Sequence, residues 1–358
     1  MRKKKRFCFI SLNNMYLCPY IEKYTNLMKD EYDVIYWDRH DVGEDIGAVN
    51  HYRFNINMEE GQSKFRKVLG YIKFKNYALK VLKENKYDGL VILQTSVSLL
   101  LNKELISRYN KRYVLDIRDY TLEKNFLFYH LLKNIIKKSY ITVISSKGYE
   151  EFLPKNNYTL VHNDVDIDAH KIYELRLKEK VKKIRISCIG LIRFHDQNKK
   201  VIEKFKNDSR FVLKFIGKDA YALKSFCVEN DIKNVVLIDQ FNPEDTLDYY
   251  RETDIVYNLY GNNSPLLDYA LSNKLYYAAK LARPILVSPG TFMESVSTKF
   301  NFGYSVNLED PLLCNNLYEY YQSLNQEDLI DNCEEFLSEV KKDNVIFNKR
   351  IQKFFSEN

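Results

Sequence analysis

The chain has 358 residues, 45% of them hydrophobic, which suits two globular domains better than one, because single cores stop growing near roughly 250–300 residues. That composition excludes a disordered or fibrous protein. A formal charge of +7 is mildly basic, so it suits an anionic ligand or membrane surface and makes no case for a nucleic-acid partner.

The sequence opens "MRKKKRFCFISLNN". A basic head and an apolar run mimic a secretion signal, but the apolar part, Phe7 to Leu12, is too short and no small-residue cleavage site follows. Residues 6–12 therefore read as a first β-strand. Further strand-like runs follow at 32–38, 87–93, 112–117 and 141–145, with helical stretches at 64–85, 102–110 and 124–138. Short apolar strands alternating with helices predict a parallel sheet covered on both faces. The stretch "GLVILQTSVSLLL" (89–101) is interrupted by Gln94, Thr95, Ser96 and Ser98, too short and too polar to span a bilayer. The expected location is cytoplasmic, peripheral on the inner face of the plasma membrane. Cysteines stand at 8, 18, 188, 227, 314 and 333, with no C-x-x-C pair and no histidine spacing for zinc, so no metal is expected.

Residues 64–83, "KFRKVLGYIKFKNYALKVLK", interleave cations with apolar side chains and contain no acid. Residues 124–138 have the same character, and "RKKKR" (2–6) adds charge. Such segments can lie on an anionic membrane surface, each charge contributing about 1 kcal/mol. The same pattern also describes an ordinary helix with a solvated basic face and an apolar core face. Between these two segments, "DIRDY" (116–120) follows a strand end, where ligand sites form. Asp116 and Asp119 could orient an acceptor hydroxyl, with Arg118 binding a phosphate or one of the carboxylates. A structural Asp–Arg–Asp network is the other reading. His130 and His162 fit packing roles or polar contacts.

Residues 165–183 are charged and lack a strand pattern, which places the domain boundary there. The expected division is a first domain over 1–165, a linker over 166–183, a second domain over 184–340 and a closing helix over 341–358. Strand-like runs restart at 184–191, 211–217, 235–239, 254–260 and 284–288. Helices at 196–207, 219–230, 243–252, 272–282 and 291–299 separate them. The fold class is α/β, two tandem Rossmann-like doubly wound domains with a ligand cleft between them.

The second half holds the clearest chemistry. In "SNKLYYAAKLARPILVSPG" (272–290), Ser272 can cap a helix beginning at Asn273. Lys274 then adds charge to a helix end that is already positive, which makes sense if an anion sits in front. In "CIGLIRFHDQNKK", Gly190 and Arg193 follow a strand, with Lys199 six residues on. Glycine allows close approach of a ligand, and Arg and Lys suit phosphate oxygens. A diphosphate fits three such cations; solvated surface charges are the alternative. No G-x-G-x-x-G follows a strand, and "FIGKDAY" (215–221) lacks the upstream Gly and following Ser/Thr of a P-loop.

The order "ISCIGLIR…K", "FIGKD", "VVLIDQFNPEDTLDYYRETDIVYNLY" and "SNKLYYAAKLARPILVSPGTFMESVSTKFNFGYSV" resembles the donor domain of GT-B glycosyltransferases. It is most similar to the retaining family-four type of bacterial capsule and surface polysaccharide synthesis. "YVLDIRDY" and "ITVISSKGYEEFLP…YTLVHND" are similar to the acceptor domain of that group, so the resemblance spans almost the whole chain. It implies a nucleotide diphosphate sugar as donor, expected to be UDP-linked, no resident cofactor, and a glycan or lipid-linked glycan as acceptor. It implies that Arg193, Lys199 and Lys274 hold the donor diphosphate. Asp239 to Phe241, with Gln240, would border the base, and the loop 260–268, with Asn262 and Asn263, would face the sugar. Two features depart from the family: Tyr277 stands where many relatives have a glutamate on the donor ribose, and "SLNNMY" replaces the Gly-rich turn after the first strand. A GT-B-like nucleotide-sugar epimerase and an inactive scaffold subunit are the alternatives.

Overall fold

The computed structural model describes residues 4–56, 63–176 and 179–357. Arg2 and Lys3 of the basic N-terminal run, residues 177–178 of the expected linker and the side chain of Lys64 lie outside the described residues. The chain forms two compact units, one of Met1–His162 with Lys342–Asn358, the other of Asn163–Lys341.

The first unit is built on a seven-stranded parallel sheet. Its strands are β1 (Arg6–Ser11), β2 (Glu31–Asp38), β3 (His51–Asn55), β4 (Gly89–Leu93), β5 (Tyr113–Ile117), β6 (Ile141–Ile144) and β7 (Thr159–Leu160). Their order is β3-β2-β1-β4-β5-β6-β7, so the direction of winding reverses at β1. Residues 7–10 and 89–93 are buried on both faces, which is why these runs are continuously apolar rather than alternating. Gly89 is needed there, because a Cβ would lie 2.8 Å from the Phe354 ring and 2.9 Å from Phe7. β3 and β7 went unread because both are short edge strands. Residues read as one helix over 102–110 form instead the end of a helical pair, Thr95–Leu100 and Asn102–Ile106.

The second unit carries a six-stranded parallel sheet: β8 (Ile184–Ile189), β9 (Phe211–Ile216), β10 (Val235–Ile238), β11 (Ile255–Asn258), β12 (Ile285–Val287) and β13 (Gly303–Ser305). The order β10-β9-β8-β11-β12-β13 is 3-2-1-4-5-6 counted within the unit, the doubly wound arrangement with its switch point beside the first strand. One face is covered through Leu275, Tyr276, Met293 and Phe336, the other through Val201, Ile202, Leu223 and Leu317.

Two sequence expectations change. The segment read as a linker, 166–183, belongs to the second unit and carries the helix Ala169–Arg176. Leu175 is buried there, and the Arg176 guanidinium donates to the Lys280 carbonyl at 2.8 Å, which ties the helix to the second unit. The expected closing helix over 341–358 is the end of a single helix, Gln326–Glu357. Its beginning buries Leu329, Cys333 and Phe336 in the second unit, and its end buries Phe347, Ile351 and Phe354 in the first. Among the described residues no helix is long and apolar enough to cross a membrane.

Candidate functional site

The switch point of the second sheet lies outside the carboxyl ends of β8 and β11. β8 ends at Ile189 and the chain turns at Gly190, whose φ is +114°. The Gly190 N–H donates to the Ile216 carbonyl at 2.8 Å. On the neighbouring strand Gly217 has φ +131°, and a Cβ there would meet the Gly190 carbonyl oxygen at 1.9 Å. Two strand ends thus meet in a way only glycine permits.

Beyond Gly190 the chain passes Arg193 and enters the helix His195–Lys204 through Phe194, which is left-handed at φ 58°. Asn198, fully buried in the first turn, holds this loop. Its Nδ2 donates to the Arg193 carbonyl at 2.8 Å, and its Oδ1 accepts from the Tyr257 hydroxyl of β11 at 2.7 Å. The Arg193 side chain is exposed and makes no ion pair or hydrogen bond among the described residues.

Lys274 arrives from the other side of the switch point, on the helix Asn273–Lys280. Its Nζ donates to the Tyr260 hydroxyl at 2.6 Å and lies 3.8 Å from where a Cβ on Gly190 would stand. Burial by itself lowers the Lys274 ammonium pKa; the neighbouring Tyr260 and Cys188 outweigh it and hold the group above its ordinary value, with the positive charge of Arg193 opposing. The geometry gathers two cations, with no carboxylate paired to either among the described residues, around a backbone turn without a side chain. An anion completes such a site.

The other expected donor residues divide. Ser272 does stand at the N-cap, yet its hydroxyl donates to Asn258 Oδ1 at 2.8 Å and caps nothing. The sequence expectation of a Ser272 cap is corrected: a buried asparagine at the end of β11 competes for the hydroxyl. Asn273 is the exposed first residue of the helix. Lys199 differs from Lys274 and Arg193 in having a carboxylate beside it. Its ammonium lies 3.7 Å from Asp196 and over the Phe226 ring at 5.9 Å, one helical turn away along the helix flank. Gln240 is exposed after β10, and Phe241 packs edge-on to Tyr249 with centroids 5.1 Å apart. Asn262 donates to the Pro289 carbonyl at 2.8 Å, and Asn263 to Asn262 Oδ1 at 2.6 Å. The loop after β11 is thereby tied to the turn after β12. Tyr277 stacks on Tyr250 at 4.4 Å with 14° between planes, so an aromatic pair stands where the resemblance suggests a glutamate.

Of the residues that fix the two cations, sequence reasoning missed Asn198 and gave Tyr260 only a place in the loop 260–268 facing the sugar. An asparagine inside a helix is the one hint of the first. Glu294 was also passed over: one oxygen accepts from the Gly290 N–H at 2.6 Å and the other from the Ser305 hydroxyl, bracing the ends of β12 and β13.

In the first unit the structure brings Asp116 and Arg118 together. Arg118 Nε donates to Asp116 Oδ1 at 3.0 Å and Nη2 to Oδ2 at 3.0 Å; the Tyr24 hydroxyl donates to Oδ2 at 2.6 Å. The guanidinium also lies 3.8 Å over the Tyr20 ring. Both residues are buried and saturated, which corrects their direct catalytic reading: the pair is a support for the strand end, as burial demands of such charges. Asp119 is exposed on the same loop. The strained residue is elsewhere. Gln94, at the end of β4 beside β1, has φ 98° and ψ 141°, a region nearly reserved for glycine and characteristic of functional sites. Its Oε1 accepts from the Leu12 N–H at 3.2 Å. Thr95 Oγ1 and Glu123 Oε1 are buried without a hydrogen-bond partner among the described residues. Burial raises the Glu123 pKa against the N–H groups that oppose it.

No family model and no curated protein matches the chain by sequence. Solved structures match its fold along its whole length. A sucrose-phosphate synthase from Thermosynechococcus elongatus has a TM-score of 0.70 at 11% identity, covering 99% of this chain and 100% of that one. A UDP-forming α,α-trehalose-phosphate synthase from Burkholderia xenovorans has a TM-score of 0.70 at 8% identity, covering 99% of each chain. MurG from Acinetobacter baumannii has a TM-score of 0.58 at 11% identity, covering 98% of this chain and 99% of that one. The chain has the GT-B fold, with two doubly wound parallel sheets.

Proposed function

We propose that the protein is a glycosyltransferase that moves a sugar from a nucleotide diphosphate sugar, UDP-linked, to a glycan acceptor carried on a lipid, in capsular or surface polysaccharide synthesis. One observation carries the reading: the Lys274 ammonium stands at the side-chain-free turn at Gly190, at the switch point of the second sheet, and the exposed Arg193 follows three residues beyond that turn. In this reading the donor diphosphate lies there, and the two cations stabilise the negative charge that develops as the sugar departs. Basic side chains take the role that a metal takes in other enzymes. Gln240 and Phe241 border the base, while Asn262 and Asn263 border the sugar. One similar solved structure is described as UDP-forming, which supports the choice of nucleotide. In the first unit, Thr95 and Glu123 are better candidates than Asp116 to meet acceptor hydroxyls, because each holds a polar atom without a partner among the described residues. The work is done at the cytoplasmic face of the membrane.

Calorimetric titration with UDP tests this. Wild type binds, and Arg193→Ala and Lys274→Ala each bind about tenfold or more weakly, the loss of one charge-assisted contact. Undiminished binding in the double variant removes the site, and a scaffold subunit binds no nucleoside diphosphate at all.

A further inference from the structure

In a parallel sheet every strand points the same way, so the first turn of each following helix stands at the carboxyl edge. In the first unit that edge is unusually greasy. Residues 65–69 are all exposed. Phe65 is 72% exposed, Val68 53% and Leu69 39%, and Ile72 at 47% continues the i, i+3, i+4, i+7 stripe. Only from Gly70 onward does the helix Lys64–Glu84 bury a face, through Phe74, Ala78, Val81 and Leu82. The helix Phe126–Lys138 also begins in the open, with Phe126 72% and Leu127 76% exposed. Both helices touch the short helix Thr95–Leu100, so the two tips stand on one face and one edge of the sheet.

Cations surround these tips. Arg66, Lys67, Lys73 and Lys124 make no ion pair among the described residues. Residues 64–83 and 124–138 contain no acid, and the adjacent Glu123 is buried. A patch of aromatic and aliphatic side chains beside cations with no ion pair fits the interface of an anionic bilayer.

We propose that this edge of the first unit enters such a bilayer, with Phe65, Leu69, Phe126 and Leu127 among the acyl chains and Arg66, Lys67, Lys73 and Lys124 at the headgroups. This rests on, and sharpens, the membrane part of the reading above. In the helix Lys64–Glu84, contact is made by the first half and not the end: Lys80 lies about 21 Å along the axis from Arg66. Apolar insertion holds the protein, and charge selects the lipid.

Co-sedimentation with phosphatidylglycerol-containing vesicles and with phosphatidylcholine vesicles tests it. Wild type binds the anionic vesicles. The Phe65→Ser/Leu69→Ser/Phe126→Ser/Leu127→Ser variant partitions roughly tenfold or more weakly, while Val228→Ser, an exposed apolar site of the second unit, leaves binding unchanged. The single native tryptophan, Trp37, is buried, so Phe65→Trp gives a readable probe. Its emission shifts to the blue on anionic vesicles and is quenched by brominated acyl chains. Wild type that ignores both vesicles, a serine variant bound like wild type, or an unshifted Phe65→Trp overturns the proposal. Thermal melts confirm that the variants are folded. UDP titration without vesicles is unaffected by them, which keeps this result separate from the donor site.

Discussion

At the scale of single residues, the second unit distinguishes cations that sequence spacing could not. Arg193, Lys199 and Lys274 look alike in the sequence, but Lys199 is committed to Asp196 and Phe226. Lys199→Ala is therefore expected to change UDP affinity less than about twofold, since an exposed pair of that kind contributes about 0–1 kcal/mol. Side-by-side calorimetry with Lys274→Ala checks it. In the first unit, Asp38 is buried at the end of β2. It accepts from Asn14 Nδ2 at 2.7 Å, Gly43 N–H at 3.0 Å, Val42 N–H at 3.1 Å and Arg53 Nε at 2.6 Å. Burial raises its pKa, but these donors outweigh it and bring the pKa to about 2. A carboxylate depressed in the folded state stabilises above its unfolded pKa and loses that contribution as pH falls through the folded value. The contribution is thus complete above about pH 4 and gone near pH 2. Denaturant melts of Asp38→Asn should show lower stability than wild type at pH 6, by about 2 kcal/mol, with the gap closing over that window.

At the scale of elements, the loop carrying Arg193 depends on one side chain inside the following helix. Asn198→Ala leaves the Tyr257 hydroxyl and the Arg193 carbonyl without their partner. The expected cost is about 1–3 kcal/mol for the stranded groups, read as a lower melting temperature, together with weaker UDP binding although Asn198 is fully buried. Unchanged affinity at reduced stability would show that the loop holds Arg193 without it. Strand and helix existence was legible here because two-residue and 3.6-residue periods are local properties. The runs at 6–12, 184–191 and 211–217 each contain the strand found. The short edge strands β3, β7 and β13 were not legible. Their residues gain order from neighbours along the sheet, which leaves little local pattern.

At the scale of the whole molecule, a ligand that binds the folded chain raises its apparent stability by RT ln(1 + [L]/Kd), about 2.7 kcal/mol at a hundredfold excess over Kd. Melts with UDP, GDP, CMP and dTDP are expected to show the largest upward shift with UDP, and none in the Arg193→Ala/Lys274→Ala variant. Equal shifts for all four would mean that the diphosphate is held and the base is not read. The Tyr277–Tyr250 stack gives this test its interest, because it puts an aromatic pair where the sequence resemblance leads one to expect a carboxylate.

What the sequence determined alone was periodic or compositional: an α/β chain, two doubly wound sheets, and cations after two particular strands. Each follows from residues within one turn or one strand of each other. What only the tertiary structure decided was partnership. Ser272 chose Asn258 over its helix, Asp116 and Arg118 neutralised one another in the interior, and Lys274 came to Gly190 across 84 residues of chain. Hydrogen bonds and ion pairs act over about 3–4 Å, and only the packed sheet brings distant residues within that reach.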